Sequence, residues 1–176
     1  GCKAICLPGD ANAPPKRERV IRNKLLNDEF SFGPNYAHVR PDQLPDMSQR
    51  EVVPQTSRVM TDRSATWEDI DWFKAQTSLP IVLKGLMTSE DAALAAEHGV
   101  DGIVVSNHGA RQFDGVPAAI DLLPPIVRQV NGRAPILFDS GVRTGLDILR
   151  ALALGADFVF LGRAFIYGVA ALGCYG

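Results

Sequence analysis

Four apolar runs in this chain end, one after another, in residues that can do chemistry. Lys84 follows Ile81-Val82-Leu83, and Ser106-Asn107-His108-Gly109 follows Ile103-Val104-Val105. Asp139-Ser140-Gly141-Val142-Arg143 follows Ile136-Leu137-Phe138, and Gly162-Arg163 follows Phe158-Val159-Phe160-Leu161. A single polar residue in such a place is ordinary loop chemistry; four in succession point to one shared ligand. The last two groups suit a phosphate. Glycine lets backbone N–H groups approach an anion, a helix N-terminus adds positive potential, and Arg143 and Arg163 can add bidentate charge-assisted bonds. Either arginine could instead pair with a surface carboxylate. His108 is the candidate base, because imidazole is the side chain that exchanges a proton near neutral pH. Arg111, three residues on, is near enough to hold a substrate carboxylate while the histidine works on the neighbouring carbon. The other histidines lack such company: His98 falls at a helix end, where it would complement the dipole, and His38 lies in irregular sequence.

These residues need a scaffold that brings strand ends together. Besides the four runs above, Ala4-Ile5-Cys6-Leu7 makes a fifth short apolar segment. All five run apolar throughout, which predicts parallel strands covered on both faces. Between them lie helical patterns. Thr88 or Ser89 can cap a helix with Glu90 and Asp91 in its first turn and Gly99 at its end. A second begins near Thr144, sets Leu146, Leu149, Leu152 and Ala153 on one face and stops at Gly155. Trp67-Glu68-Asp69-Ile70 with Phe73 suggests a third, ahead of the Ile81 strand. Two units echo each other: Ala95 to Asp101 leads into Gly102-Ile103-Val104-Val105 as Ala151 to Asp157 leads into Phe158-Val159-Phe160-Leu161. Such a repeat predicts stacked βα units, in a barrel or an open doubly wound sheet. Over about residues 11–64 the pattern dissolves into prolines (14, 15, 34, 41, 45 and 54), charges and amides. A stretch of that kind is a lid, a disordered segment or a variable connection.

Composition sets wider bounds. With 176 residues, 46% of them hydrophobic, the chain can build one domain with a core. A net charge of −2 gives no reason to expect nucleic acid as a partner. No apolar run approaches the ~20 residues that span a bilayer. Three cysteines (Cys2, Cys6, Cys174) without metal-type spacing predict a reducing compartment and no metal site. The opening residues, interrupted at Pro8-Gly9-Asp10, do not read as a secretory signal. A cytoplasmic, not secreted, location is the expectation, with the peroxisome of a eukaryote or the periphery of a membrane as the alternatives.

Taken together, Ile81-Val82-Leu83-Lys84-Gly85, Gly102-Ile103-Val104-Val105-Ser106-Asn107-His108-Gly109-Ala110-Arg111-Gln112, Asp139-Ser140-Gly141-Val142-Arg143 and Leu161-Gly162-Arg163-Ala164 closely resemble the FMN-dependent 2-hydroxy acid oxidases and dehydrogenases. That family includes glycolate oxidase, L-lactate dehydrogenase, mandelate dehydrogenase and flavocytochrome b2. The match is nearly continuous from about Trp67 to Gly173. The resemblance implies an α/β fold, the (β/α)8 TIM barrel, of which this chain supplies about strands four to eight. Residues 1–176 would be the C-terminal part of a single FMN-binding barrel domain.

The resemblance also implies roles. Lys84 would stabilise negative charge on the reduced flavin, and Ser106 would contact the flavin. His108 would be the base and Arg111 the carboxylate clamp. Asp139, Gly141, Arg143, Gly162 and Arg163 would hold the ribityl chain and phosphate. Pro8-Gly9-Asp10 corresponds to the family's Thr-Val-Asp, so Asp10 would orient His108 and stabilise its protonated form, and Arg17 would be a second substrate-side arginine. Pro8 departs from the family's flavin-contacting Thr, having neither hydroxyl nor N–H. The implied reaction is oxidation of an L-2-hydroxy acid to the 2-oxo acid, with electrons passing on to O2 or another carrier. The family's first three strands have no counterpart in the chain, and its last helix is short at Gly168 to Gly173. A five-stranded piece would expose two sheet edges and an apolar face. The expectation is thus a fragment, a split product with a complementing chain, or copies that cover each other. The alternative is a partial barrel that binds FMN or another phosphate ligand without turnover. An isomerase or lyase barrel would account for Gly162-Arg163 but gives no reason for Lys84, Ser106, His108 and Arg111 together.

Overall fold

Strands β1 (Ile5–Pro8), β2 (Ile81–Leu86), β3 (Gly102–Val105), β4 (Ile136–Phe138) and β5 (Phe158–Val159) pair in parallel in the order β1-β2-β3-β4-β5. The coordinates are a computed structural model and describe residues 1–11, 22, 64–113 and 115–173. Nearly all of the irregular 11–64 stretch, with Arg17, lies outside the described residues. Helix α1 (Glu68–Gln76) precedes β2, α2 (Ser89–Glu97) links β2 to β3, and α3 (Ala119–Val130) links β3 to β4. Helix α4 (Gly145–Ala153) links β4 to β5, and α5 (Arg163–Leu172) follows. A doubly wound sheet reverses its strand order at a switch point. Here the order never turns back, which is how βα units laid side by side build a barrel wall.

Period-two alternation divides the sheet into two faces. Leu83, Ile103, Val105, Ile136 and Phe138 join the core with Leu123, Ile126 and Val130 of α3 and Ala92 and Ala95 of α2. Val82, Lys84, Val104 and Leu137 alternate to the other face. A Cβ at Gly102 would stand 3.1 Å from Leu137 and 3.4 Å from Val82, so these three share that face. Only β3 is buried at every position; the other strands alternate, so the expectation of cover on both faces holds for the central strand alone.

The echoed βα units do one job twice. Asp101 Oδ2 accepts the Ile81 N–H at 2.8 Å, and Asp157 Oδ2 accepts the Ile136 N–H at 2.8 Å. In return the Asp101 N–H donates to Ile81 O and the Asp157 N–H to Ile136 O. Each aspartate thereby fixes where the preceding strand begins and how far the next is offset from it. The glycines before them, Gly99 (φ +65°) and Gly155 (φ +104°), take the left-handed turn that stops the helix.

Pro8 fits the pairing of β1 with β2. The Ile5 and Gly9 N–H groups point to β2, donating to Pro80 O and Lys84 O, so alternate positions such as Pro8 point away and no sheet bond is lost. Thr88 caps α2: its Oγ1 accepts the Asp91 N–H at 3.1 Å. His98 closes α2, but its ring goes elsewhere than the dipole, stacking on Trp67 and setting Nδ1 3.1 Å from Asp71. Lys74 of α1 serves the helix end instead, donating to the carbonyls of His98 and Gly99.

Two features depart from the sequence pattern. Helix α3 forms although Pro124 and Pro125 sit inside it, because Ala119, Leu123, Ile126 and Val130 bury one continuous face. Tertiary burial outweighs the two missing N–H donors. In α4 the apolar face of Leu146, Leu149 and Leu152 is exposed, at 55%, 63% and 41%, and Ala151 is the buried residue. That face is therefore not the sheet-packing one. Helix α5 buries none of its residues.

Candidate active site

Because the strands are parallel, their C-terminal ends form one rim, and the polar residues that follow them meet there. Lys84, His108, Arg111, Asp139, Gly141, Arg143, Gly162 and Arg163 border a single cleft of about 560 Å³, a size suited to a cofactor. Ser106 lies beneath it, wholly buried, and Asp10 beside it.

His108 and Asp10 are 98 residues apart in sequence, and the pairing of β1, β2 and β3 brings them together. The His108 Nδ1 lies 3.1 Å from Asp10 Oδ2 and 3.3 Å from Oδ1. A carboxylate only accepts, so it selects the tautomer with hydrogen on Nδ1 and leaves the lone pair on Nε2. Nε2 has no protein partner among the described residues. Asp10, with a side chain only 13% exposed, is itself held: Gln112 Nε2 donates to its carbonyl at 3.3 Å. Its carboxylate also packs against Gly85, at φ +98° beside the irregularity that ends β2, where any Cβ would collide with it.

On the neighbouring strands Lys84 Nζ donates to Ser106 Oγ at 2.9 Å and lies 3.3 Å from Asp139 Oδ2. Ser106 Oγ also accepts the His108 N–H at 3.0 Å. The ammonium is therefore fixed by two neighbours yet still borders the cleft. Partial desolvation pushes the nearby Cys6 thiol up, Lys84 pulls against this, and Asp139 and Asp10 add to it. Cys6 thus stays a neutral thiol at physiological pH.

The phosphate-type loops differ in what they leave open. At α4, Thr144 and Asp147 form a capping box, in which the Thr144 hydroxyl takes the Asp147 N–H and the Asp147 carboxylate takes the Thr144 N–H. At α5 the N-cap is Gly162, which has no side chain to cap with, so the first N–H groups of that helix remain available to an anion. Gly141 (φ +78°) and Gly162 both border the cleft with open space where a Cβ would stand. Arg163 Nη2 donates to Gly109 O at 2.8 Å, tying the β5 loop to the histidine loop. The Arg143 side chain makes no ion pair among the described residues. These donors fit a flavin mononucleotide: an uncapped helix start and arginines for its phosphate, and an ammonium for its ring.

Residue types alone did not single out Gly85, Gln112 or Ser140, though all three stand within the quoted motifs. Their roles come from contacts with residues far away in sequence.

Comparison with known proteins agrees with this geometry. A peroxisomal (S)-2-hydroxyacid oxidase of Arabidopsis thaliana is 46% identical over 175 residues, covering 98% of this chain and 47% of the relative. Glycolate oxidase of Spinacia oleracea is 42% identical over 173 residues, with 98% and 47% covered. Among solved structures, mandelate oxidase superposes with a TM-score of 0.76 at 38% identity, covering 98% of this chain and 46% of that one. Its complex with (S)-4-hydroxymandelic acid gives 0.82 at 38%, covering 98% and 48%. The chain spans about half the length of the curated relatives it matches. These neighbours make the five-stranded sheet part of an FMN-dependent TIM-barrel oxidase fold. The family model described as FMN-dependent dehydrogenase matches residues 1–176, and the chain belongs to that family, whose cofactor is FMN.

Proposed function

We propose that this chain is the C-terminal part of a single FMN-binding barrel domain that oxidises an L-2-hydroxy acid to the 2-oxo acid, with His108 as base. The observation that carries it is the His108–Asp10 contact at 3.1 Å on the rim of the cleft that Lys84, Arg111 and the α5 N-terminus also border. Arg111 binds the substrate carboxylate, with Arg17, outside the described residues, as a second arginine on that side. His108 Nε2 takes the substrate proton, and Asp10 neutralises the resulting imidazolium and keeps the ring from turning. Asp139, Gly141, Arg143, Gly162 and Arg163 would hold the ribityl chain and phosphate, and Lys84, held from beneath by the buried Ser106, would stabilise negative charge on the ring. FMN, when bound, supplies the two-electron acceptor. The relatives' description as oxidases favours oxygen over another carrier for the electrons that leave the site.

Completion of the barrel is part of the proposal. Phe158 and Phe160 beside the β5 edge, with Phe165, Ile166 and Tyr167 on α5, are exposed apolar residues. A further stretch of barrel, in the same polypeptide, a complementing chain or a second copy, covers them in the active form. Among the described residues no helix is long and apolar enough to cross a membrane. For a eukaryotic host, the plant relatives described as peroxisomal support that compartment.

The test is anaerobic. Protein loaded with FMN is mixed with glycolate, lactate or mandelate, and flavin absorbance is followed. Bleaching with one of them, lost in His108→Ala while FMN stays bound, supports the reading. Bound flavin that none of the three reduces turns it into the non-catalytic alternative.

A further inference from the structure

The turn that carries His108 has an unusual backbone. His108, Gly109 and Ala110 have φ of +56°, +65° and +58°, three successive left-handed residues of which only one is glycine. Non-glycine residues avoid that region and keep it only where surrounding contacts over-determine them. Within the turn itself, the Ala110 N–H reaches the carbonyl and side chain of Asn107. The three N–H groups before it go elsewhere, all to serine hydroxyls. Those of Asn107 and Gly109 donate to Ser140 Oγ at 3.1 and 3.2 Å, and that of His108 donates to Ser106 Oγ at 3.0 Å.

Ser140 sits in the loop after β4, itself at φ +88°. Its hydroxyl donates to Asp139 Oδ1 at 2.7 Å while accepting the two N–H groups, so its one hydrogen and both lone pairs are used. Asp139 Oδ2 in turn meets Lys84, and Lys84 meets Ser106. A closed circuit therefore runs from the histidine turn through Ser140, Asp139, Lys84 and Ser106 back to His108. Among the described residues, Ser140 supplies the only side-chain hydroxyl that grips the turn on both flanks of the histidine.

We infer that Ser140 is a positioning residue: its hydroxyl clamps the Asn107 and Gly109 amides and so sets His108 in register with Lys84. This rests on the proposed role of His108 as base. It also explains why a serine occupies a backbone conformation that glycine would adopt without strain. The hydroxyl is worth more there than the strain it costs.

The test separates the hydroxyl from the backbone. Ser140→Gly suits φ +88° and removes the hydroxyl; Ser140→Ala removes it while keeping the strain. Three things are measured in the FMN-loaded protein with its barrel complete. They are amide exchange of the 106–111 segment, the low-field Nδ1–H proton resonance of His108, and the anaerobic rate of flavin reduction by a 2-hydroxy acid. Both variants are expected to exchange the segment at least about tenfold faster, to lose the sharp resonance and to reduce flavin about tenfold more slowly, for the loss of two hydrogen bonds. His108→Ala is the reference. Parent-like exchange and reduction in both serine variants, with reduction abolished in His108→Ala, refutes the inference and leaves the base intact. Faster exchange with unchanged reduction also refutes it, making the hydroxyl a structural tie only. Impairment in Ser140→Ala but not in Ser140→Gly assigns the effect to strain and overturns it too. Undiminished reduction in His108→Ala removes the base reading, and the catalytic meaning of Ser140 with it.

Discussion

A methyl group added at Gly85 should disable the base without touching it. A Cβ there would stand 2.6 Å from Asp10 Cγ, 2.7 Å from its Cβ and 3.0 Å from its N, and Gly85 is at φ +98°. Two costs follow. An L-residue held in the left-handed region costs on the order of 1–2 kcal/mol. Restoring ordinary contact also means moving the carboxylate about 0.8 Å, from 2.6 to 3.4 Å. If that movement is away from His108, the 3.1 Å contact with Nδ1 opens to roughly 3.9 Å, beyond hydrogen-bonding length. Losing a charge-assisted bond costs about 1.5–3 kcal/mol, which is roughly 10- to 100-fold in rate where the charge develops in the transition state. Gly85→Ala should therefore unfold at lower denaturant concentration and reduce bound flavin 10- to 100-fold more slowly. Asp10→Asn should slow reduction by a similar factor while leaving stability closer to the parent. The assay is anaerobic stopped-flow reduction of the FMN-loaded protein beside a urea denaturation curve. A Gly85→Ala protein that reduces flavin within about twofold of the parent, while Asp10→Asn is slow, would show that Asp10 finds its place without the gap at Gly85.

The remaining expectations concern the cofactor and the helix starts. Arg163→Ala and Arg143→Ala should each weaken FMN binding about 10- to 100-fold, read from quenching of FMN fluorescence, since each removes a charge-assisted phosphate partner. Unchanged affinity in both would move the phosphate elsewhere. Thr144→Ala should cost about 0.5–2 kcal/mol in denaturant unfolding by opening the capping box of α4. The Asp147 carboxyl is held below its ordinary 3.8 by the Thr144 hydroxyl first, and then by the Arg143 and Thr144 N–H groups. Its contribution is thus fully present above pH 3.8 and is lost as pH falls through the lower folded value. Asp147→Asn should accordingly be less stable than the parent at neutral pH and converge with it in strong acid; a gap that persists there would contradict the linkage.

Much of the scaffold was legible locally. Apolar runs marked the five strands, Thr88 and Thr144 marked helix starts, and the two Gly-to-Asp turns marked a repeated unit, because each signal acts over a few residues. Helix α3 was not legible, since Pro124-Pro125 breaks the local pattern and only the burial of Leu123, Ile126 and Val130 against the sheet repays it. The α4 leucines do share one helix face, but an apolar stripe tells that a face wants cover, not which neighbour provides it.

By itself, the order of residues determined which side chains follow each strand, hence that Lys84, His108, Asp139 and Arg163 would share a rim once the strands lay parallel. What tertiary structure alone decided is how they touch. Asp10 on the imidazole, Gly85 making room for it, Gln112 on its carbonyl and Ser140 across the histidine turn all join residues set by sheet register and loop path. Hydrophobic periodicity is a short-range property of the chain, whereas a hydrogen bond across strands depends on offsets accumulated over every intervening turn.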